Sequence, residues 1–185
     1  MELIVLSGPG GVGKSTVSDF IRRTSDEIWV SVSATTRPPR PGEVDGVDYF
    51  FHSEETFKKM ITNEEFLEWA HFAGNYYGTP KAPVFNKIAE SRSVLLEIEI
   101  SGARQIRDNP SNGARAYLVF LAPPSISELE RRLMARGTDS PERAAQRLEL
   151  AHEEMAASHW FDEILVNTSV EEVAARLITL ASTVR

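Results

Sequence analysis

Short, wholly apolar runs alternate along this chain with segments whose apolar residues recur at helical spacing. Leu3-Ile4-Val5-Leu6 is apolar at every position and ends at a polar, glycine-rich stretch, the pattern of a strand covered on both faces, as in a parallel sheet. Ile28-Trp29-Val30-Ser31-Val32, Val94-Leu95-Leu96-Glu97-Ile98, Ala116 to Leu121 and Ile164-Leu165-Val166 are likewise short and rich in strand formers. Between them lie helix signals. Val17, Phe20 and Ile21 repeat at helical spacing, Ser125 with Glu128 forms a capping box ahead of Leu129 and Leu133, and Ser140-Pro141-Glu142 and Ser169 with Glu172 open two further helices. Strands alternating with helices predict an α/β fold with a parallel central sheet flanked by helices.

One stretch breaks the alternation. From Thr35 to Thr79 there are prolines at 38, 39 and 41, an aromatic cluster Tyr49-Phe50-Phe51, and short segments around Phe66-Leu67-Glu68-Trp69 and Asn75-Tyr76-Tyr77-Gly78. This predicts an inserted subdomain with short strands of its own. The whole chain of 185 residues suits a single domain with subdomains better than two independent cores.

Composition narrows the function classes. Twenty Lys and Arg against 27 Asp and Glu leave a net charge of −7, which disfavours a nucleic-acid polymer as partner but not a small anion held in a pocket. No cysteine is present, so disulfides and thiolate metal sites are excluded. His52, His71, His152 and His159 show no ligand spacing. The opening residues lack a basic start and a small-residue cleavage site, and no apolar run approaches a membrane-spanning length. A cytoplasmic location without membrane attachment is therefore expected; oligomeric state is not legible.

The chemistry starts at residue 8. Gly8-Pro9-Gly10-Gly11-Val12-Gly13-Lys14-Ser15 fits the phosphate-loop pattern G-x-x-x-x-G-K-S/T between a predicted strand and a predicted helix. Glycines let successive backbone N–H groups turn inward on phosphate oxygens, and the following helix adds the positive end of its dipole. Gly8 through Thr16 are thus the expected ATP site, with Lys14 reaching the β and γ phosphates and Ser15 ligating Mg²⁺. The loop does not identify the acceptor. Arg37 and Arg40, stiffened by Pro38, Pro39 and Pro41, suit a phosphate clamp to which Tyr49 and Tyr77 could add hydroxyls. From the residues alone, a solvated basic loop is equally open.

Taken together, Ser33-Ala34-Thr35-Thr36-Arg37-Pro38-Pro39-Arg40-Pro41-Gly42-Glu43, Val47 to Phe51, Gly74 to Thr79 and the phosphate loop resemble the guanylate kinase family. The likeness runs from about residue 3 to the last helix, with four motifs in order. It implies ATP-dependent phosphorylation of GMP, with dGMP a further acceptor, in purine nucleotide metabolism. It also implies that Ser33, Arg37, Arg40, Tyr49 and Tyr77 hold the GMP phosphate while Glu68 and Thr79 read the guanine. A carboxylate suits that task, because it accepts from both N1–H and the 2-amino group of guanine, a donor pair adenine lacks. Where the family carries two aspartates this chain has Glu97 and Glu99, and Ser101 stands where glutamine is common. The resemblance implies Glu97 in the Mg²⁺-water shell and Glu99 at GMP. Arg132, Arg136 and Arg147 fall in a family-like lid, where they would stabilise charge on the transferring phosphoryl group. Asn167 matches a position near the adenine.

The organisation so implied is a core of about 1–32, 93–125 and 157–185, a GMP-binding subdomain of about 33–92 and a lid of about 126–156. Two other readings compete: a guanylate-kinase-like protein-binding module, against which the intact loop argues, and a P-loop kinase for another phosphorylated small molecule, against which Glu68 and Thr79 argue.

Overall fold

The computed structural model describes residues 3–72, 74–109, 116–135 and 141–183, with side chains for all of these except 135 and 141–147. The first apolar run is β1 (Leu3–Ser7), buried at every residue. It is the middle strand of a five-stranded sheet with β2 (Ile28–Val30), β7 (Ser93–Glu97), β8 (Ala116–Ala122) and β9 (Glu163–Val166), in the order β2-β7-β1-β8-β9. Every pairing in it is parallel. Alternation along β1 explains the need for apolar side chains throughout: Ile4 and Leu6 enter one core layer and Leu3 and Val5 the other.

The first layer is closed by α1 (Lys14–Thr24), α5 (Ile126–Ala135), α6 (Pro141–Ala156) and α7 (Val170–Thr183), through residues such as Val17, Leu129, Ala151 and Leu177. The second is closed by α3 (Lys81–Ala89) and α4 (Ile100–Asp108), through Val84, Ala103 and Ile106. The expected helix caps at Ser125 and Ser169 form: each hydroxyl accepts from the N–H three residues on, at 3.1 and 3.3 Å. Glu128 does not complete a capping box; its carboxylate takes Arg131 and Arg132 instead.

The irregular stretch builds a second sheet. β3 (Ala34–Thr35), β4 (Phe50–Phe51), β5 (Phe66–Phe72) and β6 (Asn75–Pro80) run in the order β4-β3-β6-β5. Behind it packs α2 (Glu54–Thr62), opened by Ser53, with Phe57 stacked on Phe66 at 4.4 Å between ring centres. No described helix is long and apolar enough to cross a membrane.

From β1 the chain leads off to β2 at one edge of the sheet, then returns through β7 and crosses β1 to β8 and β9 on the other side, so the connections part beside β1. The carboxyl ends of these strands form the crevice in which open α/β sheets bind ligands. Gly8 follows β1 directly, and Glu97 ends β7 in register with Leu6.

Candidate active site

The loop after β1 is shaped by three glycines with positive φ, at 8, 11 and 13. Two are also required by space. A Cβ on Gly8 would collide with the Leu121 carbonyl of β8, and one on Gly13 would lie 2.6 Å from the Asn167 amide nitrogen. Gly13 occupies the N-cap of α1 with no side chain capping the helix, which leaves the first-turn N–H groups available to an anion. Lys14 is buried and folds back over the loop, donating to the Gly8 carbonyl at 2.5 Å. Ser15 and Thr16 are exposed at the start of the helix.

Asn167 and Arg132 brace this loop from behind. The buried Asn167 amide donates to the Val12 carbonyl at 2.7 Å, and Arg132 donates to the same oxygen at 3.1 Å while its Nε pairs with Glu128 at 2.8 Å. Arg132 therefore lies against the loop's own backbone. The predicted Arg136 lies outside the described residues. Arg147 falls on α6, but its side chain is likewise outside them.

Two acidic side chains flank Lys14. Glu99 is 3.5 Å from its ammonium. Glu97 is half-buried, and burial pushes its carboxyl up against the opposing influence of Ser18 and Lys14. On α6, Glu154 faces the Gly10 amide. Burial and the Glu99 charge push its carboxyl up to about 7, although Lys14 and that N–H oppose the shift. The loop, Glu97, Glu99 and Glu154 line a cleft of about 1030 Å³, whose other walls include Leu67, Ala70, Ser101, Arg104 and Gln105.

On the second sheet, Arg37, Tyr49 and Tyr77 form one cluster. The Arg37 guanidinium lies 5.4 Å from the Tyr49 ring centre, and the two tyrosine rings meet edge to face at 6.4 Å. Glu43 organises the loop: one oxygen takes Arg37 at 2.8 Å and the other caps the Arg40 N–H at 2.6 Å. That bond raises the Arg37 pKa and lowers that of Glu43. Arg40 is exposed, and its guanidinium has no ion pair among the described residues. Ser33 lies just before β3, its carbonyl accepting from Phe50. Burial and then the charge of Glu97 push the Tyr49 hydroxyl up, so the tyrosine lies within electrostatic reach of the strand end beside Lys14.

Glu68 and Thr79 are paired across β5 and β6. The Thr79 hydroxyl, wholly buried, donates to Glu68 Oε1 at 2.7 Å. No described cation pairs with Glu68, and burial pushes its carboxyl up to about 7 despite the Thr79 bonds. No motif in the sequence gives a role to Glu43, Gly102, Gln105 or Glu154. Neither Gly102 nor Gln105 carries a signal of its own in the sequence, whose patterning marks no helix after Glu99.

The family model described as guanylate kinase matches residues 1–183. A guanylate kinase of Thermobifida fusca is 57% identical over 179 residues, covering 97% of this chain and 90% of the relative. One from Streptomyces coelicolor is 56% identical over 183 residues, covering 99% and 91%. The crystal structure of guanylate kinase from Anaplasma phagocytophilum superposes with a TM-score of 0.77 at 31% identity, over 98% of this chain and 84% of that one.

Proposed function

The chain belongs to the guanylate kinase family, whose reaction is the ATP-dependent phosphorylation of GMP to GDP, and we propose that it divides this reaction between its two sheets. The loop from Gly8 to Thr16 holds the triphosphate, and the second sheet holds the acceptor. The observation that carries this reading is Glu68: a buried carboxylate with no cation costs several kcal/mol unless donors reach it. The N1–H and 2-amino group of guanine are such donors, and adenine lacks the pair, so this carboxylate would select GMP over AMP.

In this reading Arg37, Arg40, Ser33, Tyr49 and Tyr77 take the GMP phosphate, with Glu43 holding the two arginines' loop in shape. Lys14 leaves the Gly8 carbonyl and pairs with the β and γ phosphates. Asn167 and Arg132 keep the loop's outer carbonyl occupied so that its N–H groups face inward; the resemblance alone assigns Asn167 to the vicinity of the adenine. Arg136 and Arg147 are assigned from the resemblance to charge stabilisation in the lid, and Glu99 to the acceptor nucleoside.

Mg²⁺ is the cofactor of this reading. Among the described residues no three His, Cys, Asp or Glu are grouped to hold a metal, but an exposed Ser15 hydroxyl and the Glu97 carboxylate are hard oxygen donors. They suit an ion that keeps most of its waters and is carried by the phosphates. Bound there, it would neutralise charge on the β and γ oxygens. Transfer needs no general base, since alignment and charge neutralisation supply most of the rate. A cytoplasmic location fits this substrate pair.

The test is a coupled assay of ADP formation from ATP and Mg²⁺ with GMP, dGMP, AMP, CMP, UMP or no acceptor. Turnover should be confined to the guanine nucleotides, and Lys14→Met should lower it by ~10²-fold or more with the fold intact. Equal ADP release without acceptor, or turnover in Lys14→Met near that of the parent, would overturn the reading. A protein-binding module would give no turnover at all.

A further inference from the structure

β5 is the last strand of its sheet. Such an edge presents backbone N–H and C=O groups with no strand to pair with. At Trp69, the residue after Glu68, both groups are taken by one side chain from the other half of the molecule. Gln105 of α4 accepts from the Trp69 N–H at 3.2 Å through Oε1 and donates to the Trp69 carbonyl at 2.8 Å through Nε2. The amide does at one residue what a neighbouring strand would do.

Three residues earlier on the same helix, and so on the same side of it, Gly102 is buried against Glu68. A Cβ at 102 would collide with Glu68 Oε2 and lie 3.0 Å from its carboxyl carbon. Gly102 has no positive φ, so glycine is needed here for room and not for backbone freedom. One turn of α4 thus meets one step of β5. The missing side chain at 102 accepts the Glu68 carboxylate, and the amide at 105 holds the main chain of the next residue.

The consequence is geometric. Thr79 fixes Glu68 from within the second sheet, whereas the Gln105 bonds fix it relative to α4, whose Ile106 and Ala103 are set in the core of the first sheet. A carboxylate that must meet two donors of one base edge loses both when it moves by about 1 Å. We propose that Gln105 is a positioning residue for the acceptor nucleotide: by clamping Trp69 to α4, it holds Glu68 at the guanine edge. The inference rests on the reading of Glu68 as the base-recognising group.

The full chain with Gln105→Met, similar in length but without hydrogen-bonding groups, separates this from general support of the fold. KM for GMP should rise by about tenfold, the loss expected from one to two hydrogen bonds, while kcat and KM for ATP stay within about twofold. Hydrogen exchange at the Trp69 amide should accelerate, and Tm should change little. Gln105→Glu, which keeps the shape but sets an acceptor against the Trp69 carbonyl, should raise KM for GMP at least as far and decides the matter if the methionine variant does not fold. An unchanged KM for GMP overturns the proposal, as does an unchanged Trp69 exchange rate or an equal rise in both KM values with a lowered Tm. Glu68→Gln, measured beside them, tells the two failures apart. If it abolishes the preference for GMP over AMP while the Gln105 variants leave KM for GMP unchanged, only the clamp fails. If it leaves the preference intact, the reading of Glu68 fails and the clamp's role in base recognition goes with it.

Discussion

At the scale of single residues, Glu68 carries the most consequence because its two requirements conflict. Burial favours the neutral acid and lifts its pKa from 4.5 to about 7, but the guanine-reading role proposed for it needs the ionised form, which accepts two N–H groups. Between those values the folded chain binds more protons at this site than the unfolded chain. The neutral, buried acid therefore contributes stability below about 4.5 that is lost as pH rises through about 7, and Glu154, raised in the same sense, adds to the trend. GMP use runs the opposite way. kcat/KM for GMP should fall about tenfold per unit as pH drops below about 7. In Glu68→Gln that dependence should flatten to what the substrate phosphate alone imposes. Matching pH profiles of kcat/KM for the parent and the variant would show that Glu68 does not titrate in acceptor binding.

Residues of this kind were unevenly legible in the chain. Lys14 announces itself through the glycines around it, since a motif fixes backbone and side chain together within eight positions. Glu68 is an ordinary acid in an ordinary strand, and only resemblance singled it out. Gln105 could not be found that way at all: its role depends on a main chain 36 positions away, and nothing local in sequence records that distance.

At the scale of elements, the phosphate loop shows how tightly strand and helix constrain their connection. Gly8 has φ +147° and faces the Leu121 carbonyl of β8, while Gly10, two residues on, has open space where a Cβ would stand and no positive φ. The same substitution should therefore act unequally at the two positions. Gly8→Ala should cost roughly 3 kcal/mol, lowering Tm by about 6–12 °C for a chain of this size, because β8 must move or the backbone must strain. Gly10→Ala should stay within about 1 kcal/mol. Thermal unfolding of the two variants checks this, and equal losses would mean that the loop yields as a unit. The apolar runs mark the strands of the first sheet to within two residues of their ends, because a run bounded by polar segments is a local signal. α3 and α4 were not singled out, and their starts explain why. Neither has a side-chain cap, α3 follows Pro80 directly, and α4 carries Gly102 in its interior. The packing of Val84, Ala103 and Ile106 against the first sheet stabilises them instead.

At the scale of the whole molecule, the proposed function puts donor and acceptor groups on different sheets, and an open cleft of about 1030 Å³ lies beside the loop. Arg37, Tyr49 and Tyr77 do not line that cleft, although Tyr49 responds to the charge of Glu97. In-line transfer needs the reacting oxygen and phosphorus about 3–3.5 Å apart and water excluded, since water would otherwise accept the phosphoryl group. The Gln105 bonds to Trp69 restrain the second sheet at its β5 edge, while the Arg37 cluster lies towards its opposite edge, by β4. A rotation pivoting near Trp69 would swing the arginines towards Lys14 while leaving Glu68 nearly in place. Closure should therefore require both nucleotides. X-ray scattering from the chain, expected near a radius of gyration of about 16 Å, should show a contraction on the order of 1 Å with GMP and a non-hydrolysable ATP analogue together, and less with either alone. A radius unchanged by both ligands would mean that the two sheets already stand at reacting distance, and that bound nucleotides, not moving sheets, exclude the water.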